Sequence, residues 1–191
     1  APGLTAFTAG TGALVAGFHP TVNGTVKAVI PGPATGTVYV GGEFTTIDGH
    51  VTKLALIDAA TGSIVNGWTT LTFDGDVSSL ARSGDNLFVG GYFNKVGGQT
   101  RRGLAVVNAT TGALTSYSVP TFSGHHNYGV NCNPSTQSCA SGPTGIKAMA
   151  VSPDDNRLVA IGNFTSVAAT SRDQIAMLDL GSDAAIVDPS W

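Results

Sequence analysis

Three segments of the chain spell nearly the same phrase: VYVGGEFTTIDG from Val38, LFVGGYFNKVGG from Leu87 and LVAIGNFTSVAA from Leu158. Aligning Phe44, Phe93 and Phe164 sets them 49 and 71 positions apart. A second family follows each copy: KLALIDAATG from Lys53, GLAVVNATTG from Gly103 and QIAMLDLGSD from Gln174. A further relative, GLTAFTAGTG from Gly3, lies 50 positions before the first of these. A unit of about 50 residues cannot bury its own apolar face alone, so such copies must stack.

The periodicity inside each unit is that of strands. VKAVI at 26–30, VSSLA at 77–81 and IKAMAV at 146–151 alternate apolar and small residues, as do the LALID-type segments, and no helical spacing occurs. A fourth strand is expected in SIVNGW, ALTSYSV and AAIVDPSW. Turn formers separate the strands, among them Ser83-Gly84-Asp85-Asn86 and Ser152-Pro153-Asp154-Asp155-Asn156. Gly41-Gly42 and Gly90-Gly91 fall within strands, where glycine marks a bulge or a close backbone approach, here of one sheet to the next. The expected fold is all-β, a β-propeller of four-stranded antiparallel blades. Its parts are a half blade at 3–18, blades at 26–68, 77–119 and 146–191, and an insertion at 120–145.

That makes three and a half blades, an incomplete toroid. Pairing two copies head to tail leaves both half blades without inner strands, so the chain is expected to be part of a longer propeller or to be completed by another chain. An open end exposes more apolar surface than a soluble monomer tolerates.

The VYVGGEFTTIDG…LALIDAATG and LFVGGYFNKVGG…LAVVNATTG units resemble the delta-60-type β-propeller repeats of secreted bacterial proteins. The third unit departs from the pattern, with Ile161-Gly162 for Gly-Gly and LDLGSD for DAATG. The resemblance implies a propeller and an extracellular address. It supplies no catalytic residues.

Charge and cysteine narrow the function. A net charge of −3 leaves no basic stripe for nucleic acid, and no apolar run approaches the ~20 residues of a membrane helix. The two cysteines, Cys132 and Cys139, lie seven apart in NCNPSTQSC. A local disulfide in an oxidising compartment is the simpler reading, two free thiols the other. Two thiols do not make a closed zinc site.

Binding residues are expected where loops between the second and third strands gather with the insertion. That face carries His50, Arg101, Arg102, Arg172 with Asp173 and, in the insertion, His125, His126 and Tyr128. His125-His126 could ligate a metal, but a pair without a placed carboxylate reads as ordinary loop polarity. Glu43 is the sole glutamate, and no paired carboxylates, G-x-S-x-G elbow or phosphate-cradling loop is legible. No catalytic residue, cofactor site or metal site is assigned. The favoured reading is a non-catalytic secreted module for recognition or scaffolding, with a glycan or protein ligand. The alternative is part of a propeller hydrolase or lyase acting on extracellular polysaccharide.

Overall fold

The structure, a computed structural model, describes residues 4–133 and 138–191, with side chains for all of these except 127–133 and 138–141. Among the described residues there is no helix; the chain is all-β, in small antiparallel sheets. The first sheet holds β1 (Val26–Pro31), β2 (Thr37–Gly42) and β3 (Leu54–Asp58). The second holds β4 (Val77–Ser83), β5 (Asn86–Gly91) and β6 (Leu104–Asn108). The third holds β7 (Gly145–Val151), β8 (Arg157–Asn163), β9 (Ile175–Leu180) and β10 (Ala185–Val187). In each sheet the middle strand pairs antiparallel with its sequence neighbours.

Registers make the three sheets equivalent residue by residue. Gly41 pairs with Leu54, Gly90 with Leu104 and Ile161 with Ile175. The first strand of each is bulged near its start, between Val26 and Ala28, Val77 and Ser79, and Ile146 and Ala148. Turns recur as well. Asp58 Oδ1 accepts from the backbone of Ala60 and Thr61, and Asn108 Oδ1 accepts from that of Thr110 and Thr111. This is the Asx turn that an amide and a carboxylate serve equally well.

The sheets stack in sequence order, with the first strands of neighbours in contact. One face of the first sheet (Tyr39, Leu54, Leu56) packs in one core cluster with the opposite face of the second (Leu87, Val89, Ala105, Val107). The second repeats this on the third, Phe88, Leu104 and Val106 clustering with Leu158, Ala160, Ala176 and Leu178. The other face of the first sheet (Val40, Ala55, Ile57) is covered by Leu4, Phe18 and Val22. Glycine makes the approach close: a Cβ on Gly41 would stand 2.6 Å from Val77 Cγ1, and one on Gly90 2.9 Å from Ile146 Cγ2. Hydroxyls tie the layers, Tyr39 donating to the Ala109 carbonyl at 2.5 Å and Ser78 to that of Ile146 at 2.6 Å.

Residues 4–18 carry the third- and fourth-strand elements alone. Phe7 bridges Leu14 as Ile57 bridges Ile64 and Val107 bridges Leu114. In the first two full units the expected fourth strand is only that single bridge. After Ile64, Val65 donates to the Leu56 carbonyl, and Gly67, at a φ of 81°, turns the chain so that Trp68 tucks under Tyr39 at 5.6 Å. Between second and third strands, where loops were expected, the chain forms tight hairpins at 46–51, 95–100 and 166–171. Their tips, Asp48-Gly49, Gly97-Gly98 and Ala168-Ala169, all have positive φ, as the primed hairpin turns require.

Candidate functional site

The hairpins lie at one end of their sheets, each held by the segment preceding its unit. Val22 bridges Ile47, Phe73 bridges Val96, and Phe122 pairs with Val167. In the first two units an Asx side chain then caps the hairpin: Asn23 Oδ1 accepts from Thr45 and Thr46, and Asp74 Oδ1 from Asn94 and Lys95. Asp74-Gly75-Asp76 thereby acts as a turn and cap. Residues 120–124 repeat the course of 20–24 and 71–75, so the segment without a counterpart begins at His125.

Asn163 holds the root of that segment. Its Oδ1 accepts from the His126 amide at 2.7 Å, and its Nδ2 donates to the carbonyls of His126 (3.2 Å) and Pro143 (3.1 Å). At the equivalent position of the first unit, Glu43 instead pairs with Lys27 at 3.0 Å. His126 Nε2 meets Asp173 Oδ1 at 2.5 Å, both side chains largely exposed. Asp173 and Arg102 are extra residues between hairpin and third strand, relative to the first unit, where Thr52 is followed directly by Lys53. Beside them opens a groove of about 510 Å³, lined by Tyr92, His126, Lys147, Asn163 and Gln174 over an apolar floor at Ile161. Lys147 is exposed and makes no ion pair among the described residues. The groove thus offers a cation, an imidazole, a phenol ring and an amide around one apolar side chain, the mix of a selective polar-ligand site.

The residues singled out from sequence are distributed unevenly. His126 lines this groove; His50, Arg101, Arg102 and Arg172 do not. His50 and His125 are exposed, His50 on the first hairpin. Arg101 turns back onto its own unit, donating to the Gln99 side chain (3.3 Å) and the Thr115 carbonyl (3.4 Å). Arg172, its equivalent, donates to the Asp188 carbonyl at 3.0 Å. Both guanidiniums brace the fourth-strand segment of their unit. Arg101 and Arg102 line a second cleft of about 430 Å³ beside Tyr117. Burial, with Asp183 adding to it, pushes the Tyr117 hydroxyl up, and that hydroxyl donates to Gly181 at 3.0 Å. Tyr128, Cys132 and Cys139 have side chains outside the described residues; the backbone sets Cys132 opposite Cys139 in an antiparallel pair. Among the described residues no cluster of three His, Cys, Asp or Glu side chains is placed to hold a metal ion. Sequence reasoning sets Asp173 on the same face as His126; Asn163 and Lys147 are brought beside His126 only by the fold.

No family model matches this chain, and no curated protein does. Among solved structures it is similar to the computationally designed Ika8 protein, in one of its crystal packings, with 14% identity and a TM-score of 0.51. The match covers 96% of this chain and 51% of that one, so the chain spans about half the length of the structure it resembles. At that identity the likeness concerns fold alone.

Proposed function

We propose that this chain is a non-catalytic, secreted recognition module built as part of a β-propeller. It stacks sheets of one pattern head to tail about their first strands and is completed by further sheets. The observation that carries the recognition role is the groove rooted by Asn163, where His126, Lys147, Tyr92 and Gln174 converge beside the one segment without a counterpart in the other units. A rigid sheet presenting a rooted insertion is how binding surfaces are commonly built. The ligand class is a glycan or peptide bearing polar groups on a small apolar face. The delta-60-type resemblance and the opposed Cys132 and Cys139 support the extracellular address.

The His126–Asp173 pair keeps a second reading in view, since an imidazole oriented by a carboxylate can serve as a general base in a polysaccharide hydrolase or lyase. One experiment separates them. Glycan and peptide panels are titrated against the labelled protein by amide and imidazole NMR, with product release from the same glycans measured in parallel. Recognition predicts shifts at His126, Lys147 and Gln174, lost in Lys147→Ala, without products. Turnover that disappears in His126→Ala supports the enzyme instead. Shifts confined to residues outside the groove refute this site.

A further inference from the structure

The repeat supplies its own control for the charges of the groove beside His126. In the first sheet Lys27 stands in the bulge of β1, Glu43 directly follows β2, and the two pair at 3.0 Å. Val26 pairs with Gly42 as Ile146 pairs with Gly162, so Lys147 and Asn163 hold these same two positions in the third sheet. The lysine is kept and its carboxylate is gone. Asn163 carries no charge, and its amide is taken up by the backbone of His126 and Pro143. Lys147 is left exposed, without an ion pair among the described residues. A second departure lies at Gln174. Its φ is 64°, where the second sheet uses Gly103 at 75°. Side chains are disfavoured in that conformation, and strain retained at a surface position points to a task for the side chain. Gln174 is exposed, and its side chain makes no hydrogen bond among the described residues.

We propose, resting on the recognition role assigned above, that the groove binds a hexuronate unit of an acidic polysaccharide, whose carboxylate Lys147 takes as Lys27 takes that of Glu43. Gln174 and His126 are the polar partners for the sugar hydroxyls. Ile161 and the Tyr92 ring line the groove as its apolar part, suited to the C–H face of a pyranose. Gly145 lets that ring lie close: a Cβ there would stand 2.6 Å from Tyr92 Cδ1. At about 510 Å³ the groove falls within the range of about 300–1,000 Å³ that small ligands occupy. The charges also orient the acid. Asp173 holds His126 Nε2, so a second carboxylate is repelled from that side and drawn to Lys147. An acidic peptide suits the groove less well. Extended peptides gain affinity by adding to a free strand edge, and β8, which supplies Ile161, Gly162 and Asn163, is paired with β7 on one side and β9 on the other. The Gly162 amide is likewise taken, donating to the Gln174 carbonyl at 2.9 Å.

The test titrates the full chain with trigalacturonate, with its methyl ester and with tri-glutamate, followed by NMR of the Lys147 side chain and the Gln174 side-chain amide. The charged sugar is expected to shift both and to bind about tenfold more tightly than the ester, a ratio that falls with added salt. Lys147→Ala should bring acid and ester to equal affinity, while Lys27→Ala leaves their ratio unchanged. Gln174→Gly, which copies Gly103, should raise Tm by relieving the positive φ and yet weaken the charged sugar about tenfold. A gain in stability together with a loss of binding separates a ligand role from misfolding. Equal affinity for acid and ester in the wild type, or an unchanged ratio in Lys147→Ala, overturns the proposal. Tighter binding of tri-glutamate overturns it in favour of a peptide ligand. If the ester shifts Gln174 and His126 as strongly as the acid does, the acidic class falls and the recognition role stands. If none of these probes and no member of the glycan and peptide panels shifts the groove, both fall together.

Discussion

Gly41→Ala is the sharpest single-atom test of how the sheets stack. The added methyl would sit 2.6 Å from Val77 Cγ1, with Leu80 Cδ1 at 3.5 Å. Carbon atoms prefer about 3.5–4.0 Å, so roughly 1 Å must be found. Val77 is fully buried and β-branched, with few rotamers to escape into, and the strain must pass to the sheets themselves. Overpacking of this kind costs about 1–3 kcal/mol, and the reduced freedom of the unfolded chain returns about 0.4–1 kcal/mol. The net is a loss of about 1–2 kcal/mol, which for a domain of this size lowers Tm by about 2–8 °C. Urea and thermal unfolding followed by circular dichroism measure it, with Gly10→Ala as control, since a Cβ there meets nothing within 4 Å. The double variant Gly41→Ala/Val77→Ala should unfold with a smaller strain term than the sum of its parts. If Gly41→Ala behaves like Gly10→Ala, the close approach of the first two sheets is wrong.

Other expectations follow from single contacts. Tyr39→Phe removes the hydroxyl that donates to Ala109 and leaves that carbonyl unpaired between sheets, costing about 1–3 kcal/mol in the same unfolding assay. Asp58 is held below the usual carboxylate range, first by the Thr61 amide and then by the Ala60 amide and the Thr61 hydroxyl. A depressed folded-state value means its contribution is present above about pH 4 and is lost as pH falls through that folded value. Asp58→Asn, which copies Asn108, should keep the turn at neutral pH and show a shallower loss of stability in acid; equal acid profiles for the two proteins would refute the assignment. Ala169→Gly, relieving a φ of 64°, should stabilise the third hairpin by about 0.5–1 kcal/mol, read as a rise in Tm.

Much of the architecture is legible in the residues because alternation and repetition act locally. The strands expected at 26–30, 77–81 and 146–151 are found at Val26–Pro31, Val77–Ser83 and Gly145–Val151, and Leu54–Asp58 has the expected limits. The glycine pairs are both bulge partners and close approaches, the two roles glycine takes in strands. What escaped notice is non-local or very short. Two-residue strands such as Thr46–Ile47 carry no periodicity, and only their turn, Asp48-Gly49, signals a hairpin. His126 and Asp173 are placed on one face by the run of the strands, but their direct pairing spans 47 positions and no local pattern signals it. Arg101 and Arg172 look like ligand-binding charges in sequence; their guanidiniums meet backbone carbonyls instead, a role decided by where the fourth-strand segment passes.

The central claim is that successive sheets of one pattern stack in one direction, each laying the same face on the opposite face of the next. Methyl–methyl nuclear Overhauser contacts in the selectively labelled protein test it most directly. The account predicts contacts from Leu54 and Leu56 to Val107 and Leu114, and from Leu104 and Val106 to Leu158 and Leu178. Contacts between like faces, Leu54 or Leu56 with Leu104 or Val106, would contradict it.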